Sequence, residues 1–568
     1  MIINISINGK KIKAPQGKTI LEIARENGID IPSLCYHPDV SPKAGCRLCL
    51  VQIAGQKNPQ TACSTIAENG MDIITDSPEL RKLRKINLEL LFAQHKEECG
   101  DCVLRYNCQF LKLAREFEVE IARFADRKSG FPIYKFGPAV IFDSSKCIDC
   151  RNCVEICKKQ GVGYLELEKK NGFYQITPSK TKECIFCGQC ITHCPVGAFE
   201  AFGEFEEIEK PLQTKDKIIV FQFAPSIRTS IGEEFNLPEG EIVTEKIVGA
   251  IKQLGVNYVF DVSVGADFTT FEEAKEMLAK IRGEKSSLLF SSCCPSWVRF
   301  VEKYYPEFIA NIATARPPHI ILGGLLKTYW AKKQNIPPEN ILVVSVMPCV
   351  AKKYEIQRKE MLVGKIQPVD YVLTTRELAF LLKKHSIDLK NVKPQKADEP
   401  FGAPSGAGVI YGASGGVMES AIRAAQKIMG IKEMDISDWS KEINSLRGQE
   451  GIKKAEFNFL GKKIKVAVVN GTGNAKIILK ELKQNPKAYD CVEVMACPGG
   501  CVGGGGQPLP QTKKTRQNRA NSLYKIDEKK NVRIANENPV VQKIYKEFLT
   551  TEKIIQKICH TRYVQNKN

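Results

Sequence analysis

Cysteine is the residue type whose number and spacing carry the most chemistry in this chain of 568 residues, which contains 22 of them. Most stand in short, regular runs, and thiolates at such spacings are the usual ligands of iron–sulfur clusters. A long chain without a recognisable export signal is expected to keep its thiols reduced, so the spacing favours metal binding over disulfides. The sequence therefore predicts a protein that carries several metal clusters.

A glycine-rich stretch, Val494–Pro508, carries two cysteines spaced four apart, Cys497 and Cys501. Its glycines and prolines predict a backbone that is neither regular helix nor strand and that folds closely around a bound group. Two more cysteine-containing stretches lie upstream, Ser291–Pro295 and Met347–Glu355. Together the three stretches supply four thiols, enough for one [4Fe–4S] cubane. The four predicted ligands are Cys294, Cys349, Cys497 and Cys501.

Other reactive side chains stand beside these ligands. Cys293 is left without a ligand role, and its thiol is a candidate proton donor and acceptor. Lys352 offers a positive charge to a metal-bound anion. Met347 and Met495 are expected to line an apolar pocket, and ordinary core packing is the equally weighted alternative for both.

Residues 140–200 contain an internal repeat of the form Cys-x2-Cys-x2-Cys-x3-Cys, which is the two-cluster ferredoxin pattern. In that pattern the fourth cysteine of each run binds the other cluster. The first predicted cubane takes Cys147, Cys150, Cys153 and Cys194. The second takes Cys184, Cys187, Cys190 and Cys157. The repeat thus predicts two cubanes side by side.

The N-terminal part carries two further candidate metal sites. A Cys-x2-Cys pair with one upstream and one distant cysteine is typical of a [2Fe–2S] site. Its predicted ligands are Cys35, Cys46, Cys49 and Cys63. Further on, His95 and Cys99 are four residues apart, which on a helix would turn both towards one metal. The predicted ligands of this second site are His95, Cys99, Cys102 and Cys108.

The elements that must position these residues change in type along the chain. Alternating apolar residues before an Asn8-Gly9 turn predict a β-hairpin, and Thr19-x2-Glu22 predicts a helix capping box. An amphipathic helix is expected over Pro78–His95. Its expected buried face comprises Leu80, Leu83, Ile86, Leu90 and Leu91.

Beyond residue 211, strand-like apolar runs alternate with helix-like stretches, which is typical of an α/β domain. The expected strands are Lys217–Phe223, Tyr258–Val262, Ser287–Phe290, Asn340–Val346 and Lys463–Val469. Gly412–Gly416 predicts a tight turn that opens a helix, but no lysine follows as a phosphate-binding loop requires. No nucleotide site is predicted.

Across essentially the whole chain these motifs resemble those of the [FeFe]-hydrogenases. The N-terminal cysteine spacing is also similar to that of the large iron–sulfur subunit of respiratory complex I. The resemblance implies a [4Fe–4S] cluster at the His95 site. It also implies an H-cluster, in which a cubane is joined through the sulfur of Cys501 to a diiron unit with CO, cyanide and azadithiolate ligands. The implied reaction is the reversible conversion of protons and electrons to H₂.

The same resemblance implies roles for individual residues. Cys293 corresponds to the proton donor to the azadithiolate amine, and Glu273 and Glu276 correspond to the carboxylates of the proton relay behind it. Lys352 corresponds to the residue that hydrogen-bonds one cyanide. The residues implied near the other cyanide are Pro225 and Ser226.

Several positions depart from the family pattern. Ala313 stands where a relay serine is usual, and alanine can neither donate nor accept a hydrogen bond. Protons would then pass through an added water, through Thr314 or His319, or by another route. The other departures are Arg316-Pro317-Pro318-His319, Tyr411 and Ala351. These changes bear on the rate and direction of catalysis.

The predicted fold is multidomain and combines α+β and α/β parts. The expected domains are a β-grasp [2Fe–2S] domain at 1–80, a small helical His-Cys cluster domain at 81–125, a bacterial ferredoxin-like domain with two clusters at 126–210 and a large α/β H-cluster domain at 211–520. Residues 521–568 are expected to be the tail of that domain. The segment 509–568 is polar and basic, with Lys513, Lys514, Arg516 and Arg519 clustered, and is expected to be solvated and packed on the surface, with one helix from Asn538 to Leu549.

Three functions compete. A reversible hydrogenase is the leading interpretation, and a hydrogen-sensing relative or a purely electron-carrying iron–sulfur subunit are the alternatives. Retention of Cys293 argues against the sensor. The three cysteine-containing stretches that supply the C-terminal cubane argue against the carrier.

Charge suggests the electron partner. The formal net charge is +19, and bound clusters lower it by roughly nine or ten and leave the protein basic. A basic surface favours ferredoxin or a similar acidic electron carrier, and NAD(P)H-oxidising subunits are the other expected donors. Hydrogenase maturation proteins are the expected assembly partners. Neither nucleic-acid binding nor a membrane span is predicted, and the expected location is cytoplasmic.

Overall fold

The computed structural model describes residues 1–127, 130–170, 173–283, 288–430, 440–459 and 461–564. It has the predicted multidomain α+β and α/β architecture, with cluster-binding units before a large unit that contains two parallel sheets. Among the residues described, no helix combines the length and the apolar character that crossing a membrane requires.

The N-terminal unit is a five-stranded sheet with one helix packed on it. Its elements are β1 (Ile2–Ile7), β2 (Lys10–Pro15), α1 (Ile20–Glu26), β3 (Leu50–Ile53), β4 (Gln60–Thr61) and β5 (Asp72–Ile74). The strand order is β2-β1-β5-β3-β4, and β1 pairs in parallel with β5. The hairpin at Asn8-Gly9 and the capping box between Thr19 and Glu22 are confirmed.

Helix α2 (Pro78–Phe92) ends before the expected limit at His95. Leu80 and Leu91 are buried as expected, but the rest of the expected face is not. The half-buried members are Leu83, Ile86 and Leu90. Arg84 is buried instead, because its guanidinium donates hydrogen bonds to three backbone carbonyls and ties the helix to the N-terminal sheet. The acceptors are the carbonyl oxygens of Leu48 at 3.0 Å, Leu50 at 2.8 Å and Thr75 at 2.6 Å.

The next unit holds the cysteine repeat between short strands. Its elements are α3 (Gln109–Glu116), β6 (Ile133–Phe136), β7 (Val140–Asp143), α4 (Asn152–Lys159), β8 (Leu165–Lys170), β9 (Phe173–Pro178), α5 (Gln189–Thr192) and β10 (Phe199–Ala201). Strands β10, β7 and β6 form one antiparallel sheet, and β8 and β9 form a hairpin. The cysteine runs lie at the starts of the short helices α4 and α5, where tight turns bring several thiols close together.

The large unit is built on two four-stranded sheets. Its elements up to the second sheet are α6 (Phe205–Thr214), β11 (Ile218–Phe223), α7 (Thr244–Gln253), β12 (Tyr258–Asp261), α8 (Val262–Ile281), β13 (Leu289–Phe290), α9 (Pro295–Tyr304), α10 (Pro318–Leu325), α11 (Ala331–Lys333), β14 (Ile341–Met347), α12 (Ala351–Glu355), β15 (Tyr371–Thr374) and α13 (Thr375–Lys384). The remaining elements are α14 (Gly406–Ile410), α15 (Gly416–Ile428), α16 (Ser440–Leu446), β16 (Ile452–Phe459), β17 (Lys462–Asn470), α17 (Thr472–Gln484) and β18 (Cys491–Met495).

Strand pairing in the large unit brings the cysteine loops together. One sheet has the order β12-β11-β14-β15 with all pairs parallel, and the other has the order β13-β18-β17-β16 with only β16 antiparallel. The five predicted strands are confirmed, with Ser287 outside the described residues. Strands β15, β16 and β18 were not predicted. In β18 the buried Glu493 interrupts the apolar run, and it is tolerated because it accepts backbone N–H groups of Gly415 and Met418.

The glycine-rich stretch is less irregular than expected. Its first residues, Val494 and Met495, complete β18, and Cys501–Gly503 form a short 3-10 turn. The sequence prediction missed the end of β18 and the 3-10 turn because elements this short give no recognisable pattern in a glycine-rich stretch. The intervening residues do fold tightly, with Gly499 and Gly500 at positive φ.

The C-terminal segment forms three helices, α18 (Lys513–Glu528), α19 (Pro539–Glu547) and α20 (Glu552–Cys559). The helix expected between Asn538 and Leu549 is confirmed as α19, but the expectation of a solvated tail is wrong. Arg516 is buried against Asp39 of the N-terminal unit at 2.8 Å, and Arg519 is buried against Glu233 at 2.5 Å. The basic residues of α18 therefore stabilise contacts between units.

Candidate active site

The candidate active site lies where both parallel sheets present the carboxyl ends of their strands, the edge at which α/β folds usually bind ligands. The loops after β11, β13, β14 and β18 meet there. They bring to one cavity of about 80 Å³ the predicted residues Pro225, Ser226, Cys293, Cys294, Met347, Cys349, Lys352, Met495, Cys497 and Cys501. Both methionines thus line the cavity, as the pocket interpretation predicted.

Four of these thiols fit an iron–sulfur cubane. Burial raises the pKa of the Cys501 thiol, and the nearby thiols of Cys294 and Cys349 raise it further. The pKa of Cys497 is raised in the same way, chiefly by burial and then by Cys349 and Cys294. Buried thiols that oppose one another's ionisation match a cationic metal centre, which binds the deprotonated form.

Glycines let the backbone approach the cavity closely. A Cβ atom at Gly500 would lie 2.6 Å from the backbone nitrogen of Ser414, and one at Gly504 would lie 2.2 Å from the carbonyl oxygen of Pro348. Side chains at these positions would collide with backbone, so only glycine permits this path. The result is a pocket beside the four thiols that is lined mainly by apolar atoms and fits a bulky inorganic group.

Lys352 supplies the positive charge at the cavity. Its Nζ lies 2.7 Å from Oε2 of Glu355 and 3.1 Å from the carbonyl oxygen of Cys293. Burial by itself lowers the pKa of Lys352, but the Glu355 carboxylate outweighs this and keeps the pKa above its usual value. Glu355 in turn contacts Nε2 of His319 at 2.6 Å. His319 therefore faces the Lys352 side of the cavity and does not contact the predicted relay.

Cys293 faces the cavity on one side and Glu273 on the other. Burial raises the pKa of the Cys293 thiol, and the carboxyl of Glu273 raises it further, which shows that the two groups are close. Burial and the charge of Glu276 raise the pKa of Glu273 to about 8. The hydroxyl of Tyr411 lies 3.5 Å from Oε2 of Glu273, so the tyrosine that departs from the family pattern contacts the relay carboxyl.

The next carboxyl along α8, Glu276, is held by the loop that contains Ala313. Thr314 donates to Oε1 of Glu276 from its hydroxyl at 2.7 Å and from its backbone N–H at 3.1 Å. Burial raises the pKa of Glu276, but hydrogen bonds from His560 and Thr314 outweigh it and lower the pKa. Of the two side-chain routes considered for the missing serine, the structure favours Thr314.

Ala313 lines a small cavity together with Glu273, with a volume of about 30 Å³. Within the described part of the chain, Oε1 of Glu273 has no hydrogen-bond partner. A cavity of this size is large enough for one water molecule, which needs roughly 10–15 Å³. A water bound there beside Oε1 of Glu273 would take the place of the missing serine hydroxyl.

Replacing Ala313 by serine is expected to raise hydrogen turnover, or at least to lower its solvent isotope effect, without changing cluster content. A covalently held hydroxyl removes the entropic cost of fixing a water at that point. Turnover in H₂O and D₂O, together with iron analysis, checks this. Unchanged rates and isotope effects in an Ala313→Ser protein would show that proton transfer past Ala313 does not limit turnover.

The N-terminal cysteines are arranged as two close pairs. A hydrogen bond between the thiols of Cys35 and Cys46 raises the pKa of Cys35, and one between Cys49 and Cys63 raises the pKa of Cys49. All four are at least nine-tenths buried. Two pairs of thiols match the two irons of a [2Fe–2S] cluster, each of which takes two protein ligands.

His95 and Cys99 do not share a helix, because α2 ends at Phe92 and the chain then turns. The predicted helical face is therefore wrong, although the three cysteines lie together: after burial, Cys99 raises the pKa of Cys108, and Cys108 raises that of Cys102. Nδ1 of His95 lies 2.8 Å from the carbonyl oxygen of Lys146. Because a carbonyl oxygen can only accept a hydrogen bond, Nδ1 must carry the proton. Nε2 then carries the lone pair that a metal requires.

The structure brings the thiols of each predicted ferredoxin-type set together with the crossed partner included. One small cavity is lined by Cys147, Cys150, Cys153 and Cys194. Burial raises the pKa of Cys150, and Cys194 and Cys147 raise it further. Burial likewise raises the pKa of Cys190, with further contributions from Cys187, Cys184 and Cys157. Each set therefore contains the fourth cysteine of the other run.

The five thiol sites form a branched series. The pKa of Cys150 is raised first by burial, then by Cys194 and Cys147 of its own set, and to a smaller extent by Cys46 of the predicted [2Fe–2S] site. The Cys102 thiol donates a hydrogen bond to the carboxylate of Glu200. Glu200 follows Cys194 closely in sequence, and Cys194 belongs to the same ferredoxin-type set as Cys150. Two N-terminal sites thus adjoin the set of Cys147, Cys150, Cys153 and Cys194.

Among the described residues, the series continues towards the candidate active site through the second ferredoxin-type set. Cys190 is among the thiols that raise the pKa of Cys153, which links the two ferredoxin-type sets. The Cys497 thiol lies 3.8 Å from the carbonyl oxygen of Cys187. Gln189 donates to the carbonyl oxygen of Gly503 at 3.1 Å and fixes this junction. The set of Cys157, Cys184, Cys187 and Cys190 is therefore the one that adjoins the four C-terminal ligands.

Several residues at the site were not identified from sequence. Glu355 lies three residues after Lys352, a helical spacing that could have revealed the ion pair. Glu272 and His560 contact one another from positions 288 residues apart, and no local pattern signals such a pair.

Comparisons with known families agree with the cysteine motifs. Residues 217–505 match the family described as iron only hydrogenase large subunit, C-terminal domain. Residues 1–78 match a 2Fe-2S iron-sulfur cluster binding domain, and residues 146–198 match a 4Fe-4S dicluster domain. Residues 513–566 match the family described as iron hydrogenase small subunit, so the C-terminal helices form a recognised unit.

Similar proteins align along the full chain. The NADP-reducing hydrogenase subunit HndD of Solidesulfovibrio fructosivorans is 35% identical over 590 residues, which cover 100% of this chain and 99% of that protein. Iron hydrogenase 1 of Clostridium pasteurianum is 37% identical over 575 residues, covering 98% and 99% respectively. A solved structure of an [FeFe]-hydrogenase from Chlamydomonas reinhardtii has a TM-score of 0.55 at 31% identity and covers 64% of this chain and 98% of that one.

Proposed function

The chain belongs to the iron-only, or [FeFe], hydrogenase family, and from this membership we propose that it interconverts protons and molecular hydrogen, 2H⁺ + 2e⁻ ⇌ H₂. One observation carries the proposal. Four thiols and a fifth, Cys293, which the ligand assignment leaves free, line one glycine-cradled cavity, with the carboxyl of Glu273 behind Cys293. An electron-carrying subunit needs neither the fifth thiol nor the relay.

The residues that would hold the H-cluster are the four C-terminal cysteines, with Cys501 joining the cubane to the diiron unit. When bound, this group supplies the redox chemistry that makes and breaks the bond between the hydrogen atoms. The protein supplies an apolar pocket with Met347 and Met495 in its wall and a buried charge on Lys352. Pro225 and Ser226 also line the cavity.

Proton delivery belongs to the protein. The Cys293 thiol gives its proton towards the cavity and regains one from the carboxyl of Glu273, which its raised pKa keeps largely protonated near neutrality. Glu273 is then reprotonated from Glu276 past Ala313, where a water bound in the small cavity that Glu273 and Ala313 line would complete the path. The reverse sequence removes protons when H₂ is oxidised.

Maturation in the presence of the assembly proteins tests the proposed activity. The matured protein should evolve H₂ from a low-potential reductant and show infrared stretches of CO and cyanide. An electron-carrying subunit would lack those stretches, and a hydrogen sensor would show them with little turnover. Either result would overturn the proposal in a different way.

Fully matured protein is expected to contain about twenty iron atoms: two at the [2Fe–2S] site, four in each of three accessory cubanes and six at the H-cluster. The assignment leaves only Cys293, Cys491 and Cys559 without a cluster. Iron and sulfide analysis checks the count. Active protein with only about six irons would show that the N-terminal assignments are wrong.

The electron donor is proposed on charge and similarity. A formal charge of +19 favours an acidic carrier such as ferredoxin. The similar protein from Solidesulfovibrio fructosivorans is named as a subunit of an NADP-reducing hydrogenase, so subunits that oxidise NAD(P)H are the second candidate. Purification of the native complex distinguishes a single chain served by ferredoxin from a stable assembly with such subunits.

A further inference from the structure

The C-terminal segment places a histidine against the predicted proton relay. We propose that His560 is a proton-relay residue that connects Glu276 to the surface through Glu272. The inference rests on the proposed hydrogenase function, since it extends the route behind Cys293. It gives the small-subunit-like C-terminal segment a part in proton transfer.

The imidazole of His560 bridges two carboxylates on one face of α8. Its Nδ1 lies 2.8 Å from the hydroxyl oxygen of Thr314 and 3.5 Å from Oε1 of Glu276. Its Nε2 lies 3.1 Å from Oε2 of Glu272, which stands one helical turn before Glu276. One ring therefore contacts the inner carboxylate with one nitrogen and the outer carboxylate with the other.

The surroundings keep this ring charged at neutral pH. Burial by itself lowers the pKa of His560, but Glu272 and Glu276 outweigh it and raise the pKa to about 9. Burial by itself raises the pKa of Glu272, but the hydrogen bond from His560 and the charge of Lys275 outweigh burial and lower the pKa of Glu272 to about 2. The other titratable or charged groups around the ring and its carboxylates are Lys275, Arg316 and Tyr545.

The outer end of this cluster reaches solvent at Lys275. Its Nζ lies 2.8 Å from Oε1 of Glu272, and its side chain is 40% exposed, whereas that of Glu272 is 4% exposed. A proton from solvent can therefore reach Glu272 beside the Lys275 head group. From there it passes to the ring of His560, which is itself almost completely buried.

The inner end leads to Glu273. The protonated ring gives a proton from Nδ1 to Glu276, directly or through the Thr314 hydroxyl, which lies 2.7 Å from that carboxylate. The step from Glu276 to Glu273 passes the small cavity that Glu273 and Ala313 line, which has room for one water molecule. The residue after Ala313 is Thr314, the hydrogen-bond partner of Glu276. The ring regains its charge from the proton delivered along Glu272, so each transfer is balanced.

Backbone contacts hold the segment without help from the His560 side chain. The N–H of Arg316 donates to the carbonyl oxygen of Cys559 at 2.6 Å, and the N–H of Thr561 donates to that of Thr314 at 2.7 Å. The side chain of Arg316 also donates to the carbonyl oxygen of His560 at 2.7 Å. A substitution at His560 therefore leaves the segment in place.

The test compares His560→Asn with Thr561→Val. Asparagine keeps a hydrogen-bonding side chain but cannot carry a proton, and turnover should fall about tenfold with a larger solvent isotope effect. Wild-type protein should lose rate as the pH rises through about 9, where the pKa of His560 lies and the ring gives up its proton, and this loss should be absent from the variant. Thr561→Val is the control, because Thr561 lies on the same segment as His560 but does not contact the carboxylates with its side chain. This variant loses the hydrogen bond from the Thr561 hydroxyl to the carbonyl oxygen of Glu360, and its turnover should not change.

Two further measurements separate proton transfer from structure. Added imidazole should restore part of the turnover of His560→Ala, which a merely structural role would not allow. Nuclear magnetic resonance of histidine-labelled protein without the diiron unit should show one imidazole that titrates near pH 9. That signal should be missing in His560→Asn and should move towards neutral pH in Glu272→Gln.

Wild-type rate and pH profile in His560→Asn would overturn the relay role, as would a His560 that titrates at its ordinary value. Failure of the underlying function looks different. Wild-type protein with intact CO and cyanide stretches but no turnover would refute the hydrogenase proposal, whatever the resonance titration shows.

Discussion

Replacing Cys293 by alanine is expected to lower hydrogen turnover at least about 100-fold while leaving the CO and cyanide stretches nearly unchanged. The thiol lines the cavity but belongs to none of the four cluster ligands, so the cofactor should still assemble. What the variant loses is the cavity-lining thiol that lies next to Glu273. Tyr411 also lines the cavity, but its hydroxyl accepts a hydrogen bond from Thr270 and donates one to Glu273, and a phenol is a weaker acid than a thiol. Turnover and infrared spectra of the same preparation measure both effects.

Matched variants locate the loss at the thiol. Cys294→Ala removes a cubane ligand next to Cys293 and should abolish the CO and cyanide stretches along with activity. Glu273→Gln should reproduce the Cys293→Ala phenotype, because an amide cannot pass on a proton. Wild-type hydrogen evolution in Cys293→Ala would refute the donor role. A silent Glu273→Gln beside an inactive Cys293→Ala would show that protons reach Cys293 by another path.

The thiols that lie close together in the structure could be grouped from sequence because their geometry is local. A Cys-x2-Cys run folds into a tight turn that sets the distance between its thiols with little help from the rest of the chain. The crossed partners, such as Cys157 and Cys194, were predictable because the two runs are repeats. The strands that precede the loops of Cys294 and Cys349, β13 and β14, were recognisable because both are buried, apolar and short.

The parts that escaped prediction depend on contacts between distant segments. His560 meets Thr314 across 246 positions of sequence, and nothing near either residue signals the contact. The basic residues of α18 suggested a solvated surface, yet Arg516 pairs with Asp39 across 477 positions. Polar side chains that are buried through distant partners resemble surface residues in the sequence.

The order of the thiol sites makes one of them indispensable for electron transfer. Both N-terminal sites adjoin the set that contains Cys150, and only the set that contains Cys187 adjoins the candidate active site among the described residues. Loss of one entry site should leave the other branch available. Loss of the set that contains Cys187 should interrupt every route that begins at the N-terminal sites.

Replacing Cys190 by alanine is therefore expected to reduce donor-driven hydrogen evolution almost to background, while Cys49→Ala should retain part of it. Cys190 belongs to the connecting set, whereas Cys49 belongs to one branch. Exchange of H₂ with D₂O needs no net supply of electrons, so it should persist in both variants together with the CO and cyanide stretches. The two assays on one preparation separate a broken electron path from a damaged active site.

Iron analysis and electron paramagnetic resonance must first show that the connecting cluster is missing in Cys190→Ala. Donor-driven evolution at the wild-type rate in such a protein would mean that electrons enter beside the catalytic cubane without passing the N-terminal sites. Loss of isotope exchange would instead mean that the junction formed by Gln189 and Gly503 had failed and disturbed the ligand loop of Cys497 and Cys501. Since Gln189 adjoins Cys190, a Gln189→Glu variant with its cluster intact distinguishes this structural effect from the loss of the electron path.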